Sequence, residues 1–422
     1  MPTQADSTRR RGLHSALLTC GLASLLGASC VSTTGGGDDD AGVGPGTGGA
    51  NSGGVGGGRA GSGGSGSGGA TGSGGLSGTG GEGGTGGGAT GGRTGAGGAP
   101  GVGGAPVGTG GSGSGGAGGL ADCGILPVNP NATAQARKLL CYLYSQYGNH
   151  VLSGQQETSW ASNPDVDVNY IFTNTGKYPV IRGLDYLYTG TSARGIAWWN
   201  AGGIPMICYH MGAPTLSDTF QSSQMAVPGG IDAVLTPGTA QYTSFVQRLD
   251  YAAGELLKLQ AANAAVIWRP FHEAGGTWFW WSMEGASQYK RLWIFMYDYF
   301  TTTKGLNNLI WLHPFDGTPP AAFFPGKAYV DLAGSDTYAS NTPFASLYTA
   351  TRAIVGTTIP ISLHENGLMP DPAIMFGATK TPWVLFNTWA DTFLTVTNTV
   401  ANVKAVYANS FVVTRDEVPS LK

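Results

Sequence analysis

Eight short runs of apolar, β-branched or aromatic residues recur between positions 150 and 389, at 150–154, 178–185, 204–210, 264–273, 309–315, 329–338, 359–365 and 383–389. Helical patterns lie between or before them, as at 133–146 and at 242–260, where Leu249, Leu256 and Leu257 fall at helical spacing and Lys258 stands near the end. Strands that alternate with helices imply right-handed crossovers and a parallel sheet. Eight such units predict an α/β fold closed into a (β/α)8 TIM barrel rather than an open doubly wound sheet. No Gly-x-Gly-x-x-Gly turn follows the first run to suggest a dinucleotide, and no cofactor is implied.

The barrel accounts for only part of the 422 residues, and composition marks where it begins. The 73 glycines concentrate between about Gly35 and Gly119, where Gly, Ser, Thr and Ala leave almost nothing apolar to bury. The stretch 31–120 therefore reads as a disordered Gly/Ser/Thr-rich linker, with an end-to-end distance of roughly 50 Å as a Gly-rich coil. Ahead of it, Arg9-Arg10-Arg11 precede an apolar run from Leu17 to Ala28, too short to span a bilayer but suited to a signal-peptide core. Leu26-Gly27-Ala28-Ser29-Cys30 resembles the lipobox of bacterial lipoproteins, which would put a lipid anchor on Cys30. The expected organisation is an export signal over 1–30, the linker, and a catalytic barrel over 121–422. The protein would then be secreted or held at a bacterial cell surface, and a monomer is expected.

In an oxidising compartment Cys123 and Cys141 can clip the start of the domain to its first helix, a bridge the sequence leaves open. Cys208, inside an apolar run, reads as a buried free thiol. A net charge of -3 with 11% charged residues provides neither a basic face for nucleic acid nor an acidic block, so a neutral partner is expected.

A barrel of this type builds its active site at the C-terminal ends of its strands. Those ends carry Gln155, Asp185, His210, Glu273, His313, Asp336 with Tyr338, Glu365 and Trp389. The segment Trp268-Arg269-Pro270-Phe271-His272-Glu273-Ala274-Gly275-Gly276-Thr277-Trp278-Phe279-Trp280-Trp281 runs an apolar strand into a carboxylic acid and then four aromatics. Ile361-Ser362-Leu363-His364-Glu365-Asn366-Gly367 repeats the strand-to-glutamate step. Glycosidic cleavage takes one carboxyl group to protonate the leaving oxygen and a second to attack or to activate water, and pyranose faces dock on indoles.

Glu273 and Glu365 are the catalytic candidates, although strand-end glutamates are commonly plain surface residues. Tyr338 is either a core tyrosine or a donor to Glu365, and His210 and His272 are either structural or in contact with sugar hydroxyls or the glutamates. Trp278, Trp280 and Trp281 cannot all line a cleft, because successive side chains point different ways. Trp278 and Trp389 are the preferred sugar platforms, with Trp198 and Trp199 as weaker ones. Arg269 shares parity with Glu273 on the expected strand, and pointing inward it would need a carboxylate partner. His272-Glu273 is not His-Glu-x-x-His and the other histidines are scattered, so no metal is expected.

Arg269-Pro270-Phe271-His272-Glu273 followed by Trp278-Phe279-Trp280-Trp281 resembles glycoside hydrolase family 26, best known for retaining endo-β-1,4-mannanases on a (β/α)8 barrel. The stretch from Pro325-Gly326 through Gly334-Ser335-Asp336-Thr337-Tyr338, and Thr414-Arg415-Asp416-Glu417-Val418-Pro419, resemble its sixth-strand region and C-terminal end. The resemblance implies Glu273 as acid/base and Glu365 as nucleophile. It also implies that His210, His272, Trp278, Asp336, Tyr338 and Trp389 contact substrate or position the nucleophile. Ala390 departs from the pattern, since some mannanases carry there a cation that grips the sugar beyond the cleaved one. Ala274 departs too, standing where many members have a larger residue. The implied substrate is mannan, glucomannan or galactomannan. The alternatives are a β-1,3-xylanase or mixed-linkage β-glucanase of the same family, or a non-catalytic carbohydrate-binding surface protein.

Overall fold

The computed structural model describes residues 123–422. The export segment 1–30 with Cys30, and the linker 31–120, lie outside the described residues. Eight parallel strands close into a barrel: β1 (Gly154–Gln156), β2 (Ile181–Asp185), β3 (Ile204–Cys208), β4 (Val266–Trp268), β5 (Leu309–Phe315), β6 (Leu332–Thr337), β7 (Ile361–Asn366) and β8 (Phe386–Thr388). Gln155 of β1 pairs with Thr388 of β8 and shuts the ring. The β-branched and aliphatic content of these runs suits strands buried on both faces, and every barrel strand is buried apart from the last residue of β6.

The helices begin where the polar residues allow. Ala134–Gln146 starts behind Thr133, whose hydroxyl accepts from the Ala136 N–H at 3.2 Å, and Ala240–Ala261 starts behind Thr239, which accepts from Tyr242 at 3.0 Å. The second turns Phe245, Leu249, Ala252, Leu256 and Leu259 toward the barrel. Cys123 and Cys141 are bridged, tying the start of the described chain to the first of these helices, and Cys208 is a buried free thiol.

Several runs are shorter as strands than the sequence expectation, the sixth beginning at Leu332 after a 3-10 turn and the eighth at Phe386, and three differ in ways that bear on the site. The first divides at Ser153: Val151–Leu152 pairs with Val412–Val413 in a separate two-stranded sheet, and only Gly154–Gln156 enters the barrel. The fourth ends at Trp268 rather than Glu273, because Phe271 and Glu273 take left-handed φ values of 46° and 56° that no strand tolerates. In the fifth, His313 faces out of the barrel with Trp311, two residues before it. Its ring centroid lies 5.0 Å from Trp293 on the helix Ala286–Asp298, so the strand's period of two removes it from the mouth.

Candidate active site

After β4 the chain leaves the sheet as Arg269-Pro270-Phe271-His272-Glu273, and its two left-handed residues swing Glu273 over the barrel mouth. Such backbone costs about 1–3 kcal/mol per residue and persists only where neighbours hold it. Here the neighbours are aromatic donors. Tyr289 OH donates to the Phe271 carbonyl at 3.1 Å, and Trp281 Nε1 donates to the His272 carbonyl at 2.9 Å. The Ala274 N–H then bonds the Pro314 carbonyl at 2.8 Å and returns the loop to β5.

Of the three indoles in the segment, Trp280 and Trp281 are buried beneath the loop, while Trp278 is 36% exposed and its Nε1 donates to Glu273 Oε2. A β-carbon on Gly276 would stand 2.4 Å from the Trp278 ring, so only glycine lets that indole fold back over the carboxyl. Trp281→Phe keeps an aromatic ring in place but removes the donor to His272. We expect it to lower kcat by about tenfold or more while KM changes little, as read from steady-state kinetics beside an unaltered far-UV spectrum.

Glu273 is 3% exposed, and burial, followed by the nearby Glu365 charge, pushes its carboxyl up to about 8. Glu365, on β7, is equally buried but differently dressed. Arg269 Nη1 donates to its Oε2 at 2.9 Å and Tyr338 OH to its Oε1 at 2.6 Å. Arg269 also donates to His364 Nδ1 at 3.1 Å, while His364 Nε2 donates to the Phe315 carbonyl at 2.9 Å. Arg269 points inward, though the parity from which this was expected does not reach Glu273, because the strand ends at Trp268 and the backbone turns left-handed at Phe271 and at Glu273 itself. Asp336 is buried within hydrogen-bonding reach of Glu273, and its carboxyl is driven well up by burial and by the charges of Glu273 and Glu365.

The histidines bond each other rather than either glutamate. His210 Nδ1 lies 2.5 Å from Asp185 Oδ2, and His210 Nε2 lies 2.9 Å from His272 Nε2. Asp185, at the end of β2, also accepts the His210 backbone N–H at 3.1 Å and so fixes that ring. Burial and the neighbouring His210 hold His272 well below the usual imidazole range, which keeps it neutral. Trp389 follows β8, half-buried, its ring 6.3 Å from His210. Gln155 is buried against the backbone, its Nε2 donating to the Gln156 carbonyl at 2.9 Å.

Trp198 and Trp199 are no platforms. Both are buried on the helix Thr191–Asn200, and Trp198 donates to the Val180 carbonyl at 3.0 Å across Gly203, where a β-carbon would meet its ring. The sequence reading left Asp185 without a role and did not weigh Tyr289 or Trp160. A strand-end Asp one strand before a strand-end His was the signal for the first, and nothing local marks the others.

Among the described residues, two groups bring three residues of metal-ligating type within 4.8 Å of one another: Glu273 with Asp336 and Glu365, and Asp185 with Cys208 and His210. In the first, Trp278, Arg269 and Tyr338 already occupy carboxylate oxygens. In the second, burial pushes the Cys208 thiol well up and so keeps it protonated, while Asp185 already takes His210 Nδ1. Both donor sets suit proton and sugar chemistry better than an ion.

Comparison with known proteins follows the same lines. The model of Glycosyl hydrolase family 26 matches residues 128–417. A mannan endo-1,4-beta-mannosidase of Thermothelomyces thermophilus is 33% identical over 312 residues, covering 69% of this chain and 62% of that protein. One of Bacillus subtilis is 29% identical over 332 residues, covering 70% of this chain and 89% of its own. The chain spans only 50% to 62% of the length of the Thermothelomyces and Piromyces relatives. The crystal structure of the Podospora anserina GH26-CBM35 β-(1,4)-mannanase superposes with a TM-score of 0.64 at 33% identity, over 70% of this chain and 69% of the other. A β-mannanase from a symbiotic protist of the termite Reticulitermes speratus, complexed with gluco-manno-oligosaccharide, gives a TM-score of 0.64 at 28% identity, over 70% and 97%.

Proposed function

Because this chain belongs to Glycosyl hydrolase family 26, we propose that it cleaves β-1,4-mannosidic bonds within mannan, glucomannan or galactomannan, with retention of configuration. Glu273 protonates the glycosidic oxygen as Glu365 attacks the anomeric carbon, so the aglycone leaves as an alcohol and the sugar becomes an ester of Glu365. Glu273, now a carboxylate, takes a proton from water as that water attacks the same carbon, and the ester bond breaks to release the sugar and free Glu365.

The observation that carries this reading is the contrast between two buried glutamates in one mouth. One is biased toward its protonated form, and the other is gripped at both oxygens by Arg269 and Tyr338. Their separation supports retention. Carboxylate oxygens within 4.8 Å of each other lie nearer the roughly 5–5.5 Å separation of retaining pairs than the roughly 6.5–9.5 Å of inverting ones. A mannan-type substrate is supported by the relatives, which are named mannan endo-1,4-beta-mannosidases, and glucomannan by the protist enzyme's bound gluco-manno-oligosaccharide. The Arg9-Arg10-Arg11 leader, Cys30 and the glycine-rich stretch favour an exported enzyme tethered at a cell surface.

Reducing-sugar release on glucomannan, galactomannan, β-1,3-xylan and mixed-linkage β-glucan tests the assignment. Release from the mannans is expected. Hydrolysis of the xylan or glucan alone would discard the mannanase reading, and tight binding without release would favour a carbohydrate-binding protein.

The raised Glu273 carboxyl also sets a pH dependence. The acid works only while protonated, so kcat/KM on mannan is expected to fall as pH rises through about 8. An aryl mannoside with a good leaving group needs no such proton, and its glycosylation step should keep its rate across that range. A basic limb unchanged by the leaving group would detach it from Glu273.

A further inference from the structure

Beside the cleavage point the mouth continues along an aromatic shelf that the assigned chemistry does not use. Trp160, in the loop after β1, is 46% exposed, and its ring lies 6.3 Å from that of Trp389 with the planes 29° apart. Tyr188, after β2, adds a third ring 6.1 Å from Trp160. An indole left half in water gives up much of its burial free energy, so its conformation must be imposed by its surroundings.

The surroundings do impose it. Glu157, three residues earlier, is fully buried and bonds Arg182 Nη2 and Arg194 Nη2, each at 2.6 Å, as well as the Ser159 hydroxyl at 2.7 Å. The Thr158 hydroxyl donates to Asp167, and the same carboxylate oxygen accepts the Asp391 N–H at 3.3 Å. Asp391 stands two residues after Trp389. One buried carboxylate thus holds the loop carrying Trp160 to the loop carrying Trp389, and the two rings are preorganised as one surface rather than two mobile side chains.

We propose that Trp160 is a sugar-stacking residue of a further subsite, continuous with the Trp389 platform, and that it binds the pyranose next beyond the one seated on Trp389. The proposal rests on the mannan-hydrolase reading and deepens it. Ala390 offers no charge at this end of the mouth, so recognition there falls to apolar pyranose faces lying on indole rings, which exclude water from a preformed surface at little entropic cost. Stacking of this kind tolerates either orientation of one hydroxyl more readily than a directed hydrogen bond does, which fits a chain of mixed mannose and glucose units.

The test compares the parent protein with Trp160→Ala and Trp160→Phe on manno-oligosaccharides of increasing length, reading kcat/KM and product pattern. On an aryl mannoside, whose single sugar stops short of the shelf, Trp160→Ala is expected to act within about twofold of the parent, because the subsite is empty. On chains long enough to reach the shelf, kcat/KM is expected to fall about tenfold or more through KM, with the cleavage position shifting, while Trp160→Phe keeps most of the activity. Equal rates of parent and alanine variant at every length would overturn the proposal. So would an equal loss at every length, which would mark Trp160 as a prop for the loop. A parent protein inactive on all mannans and manno-oligosaccharides would overturn the reading of the site itself, a result distinct from either.

Discussion

Replacement of Glu365 by alanine is expected to lower kcat on mannan by about 10⁴-fold or more, because the two other carboxyls in the mouth, Glu273 and Asp336, are biased toward their protonated forms and do not replace it as nucleophile. The stability of the variant is part of the same expectation. Arg269 is 1% exposed and donates to Glu365 Oε2 at 2.9 Å, so deleting the carboxylate leaves a buried guanidinium that has lost its ion-pair partner and keeps the neutral His364 and Cys208 side chains beside it. Removing one partner from such a pair costs about 3–5 kcal/mol, so a visibly lower Tm should accompany Glu365→Ala. Glu365→Gln keeps an acceptor for Tyr338 and should lose as much activity with a smaller fall in Tm, which separates chemistry from folding. Azide supplies a decisive sign. In the alanine variant it can enter the vacated space, attack the anomeric carbon from the nucleophile's side and give a mannosyl azide of inverted configuration. A variant retaining a tenth of the parent's kcat would remove Glu365 from the chemistry.

Glu273→Gln should reduce kcat on mannan by about 10²–10⁴-fold, the usual range for a positioned acid/base group. On an aryl mannoside with a good leaving group its behaviour should differ. Ester formation proceeds, while breakdown stalls for want of a base, so the variant should show a burst of released phenol, a low KM, and acceleration by azide to a product of retained configuration. The glutamine variant should also gain stability relative to the parent as pH rises. In the folded protein burial and the Glu365 charge raise the Glu273 carboxyl from the ordinary 4.5 to about 8, so the folded state holds a proton that the unfolded chain releases. The parent therefore loses stability as pH climbs from about 4.5 through 8, and glutamine, which does not titrate, is spared that loss. A difference in Tm between the two proteins that stays constant over this range would show that Glu273 is not held protonated.

The barrel was legible in the sequence because the strand runs are short, apolar and for the most part alternate with helices, so that strand count and alternation leave few topologies, even though only two 3-10 turns separate β5 from β6 and a four-residue helix separates β7 from β8. The residues that gather at the mouth were legible for a related reason. Glu365, Tyr338, His210 and Trp389 end strands or follow them by one or two residues, and the barrel delivers such positions to one rim. Glu273 reached the rim by another route. The strand stops five residues earlier, and two left-handed residues, held by Trp281 and Tyr289, carry the carboxyl across. Backbone of that kind has no signature in residue type when it falls on Phe and Glu. Trp160 was hidden for want of any local pattern, since it acquires meaning only from Trp389, more than two hundred positions away in the chain and beside it in space. Trp198 and Trp199 misled because two adjacent tryptophans before a strand suit an outer helix as well as a cleft, and only packing across Gly203 decides between them.

The stereochemistry of the first product tests the central claim most directly. With the parent enzyme acting on a manno-oligosaccharide, proton NMR within the first minutes should show the new reducing end as the β-anomer, with the α-anomer growing in only as mutarotation proceeds. That result is required if Glu273 and Glu365 work as acid/base and nucleophile from opposite sides of the scissile bond in a double displacement. An α-anomer formed first would mean a single displacement by water, and the account of Glu365 as a nucleophile held by Arg269 and Tyr338 would be wrong.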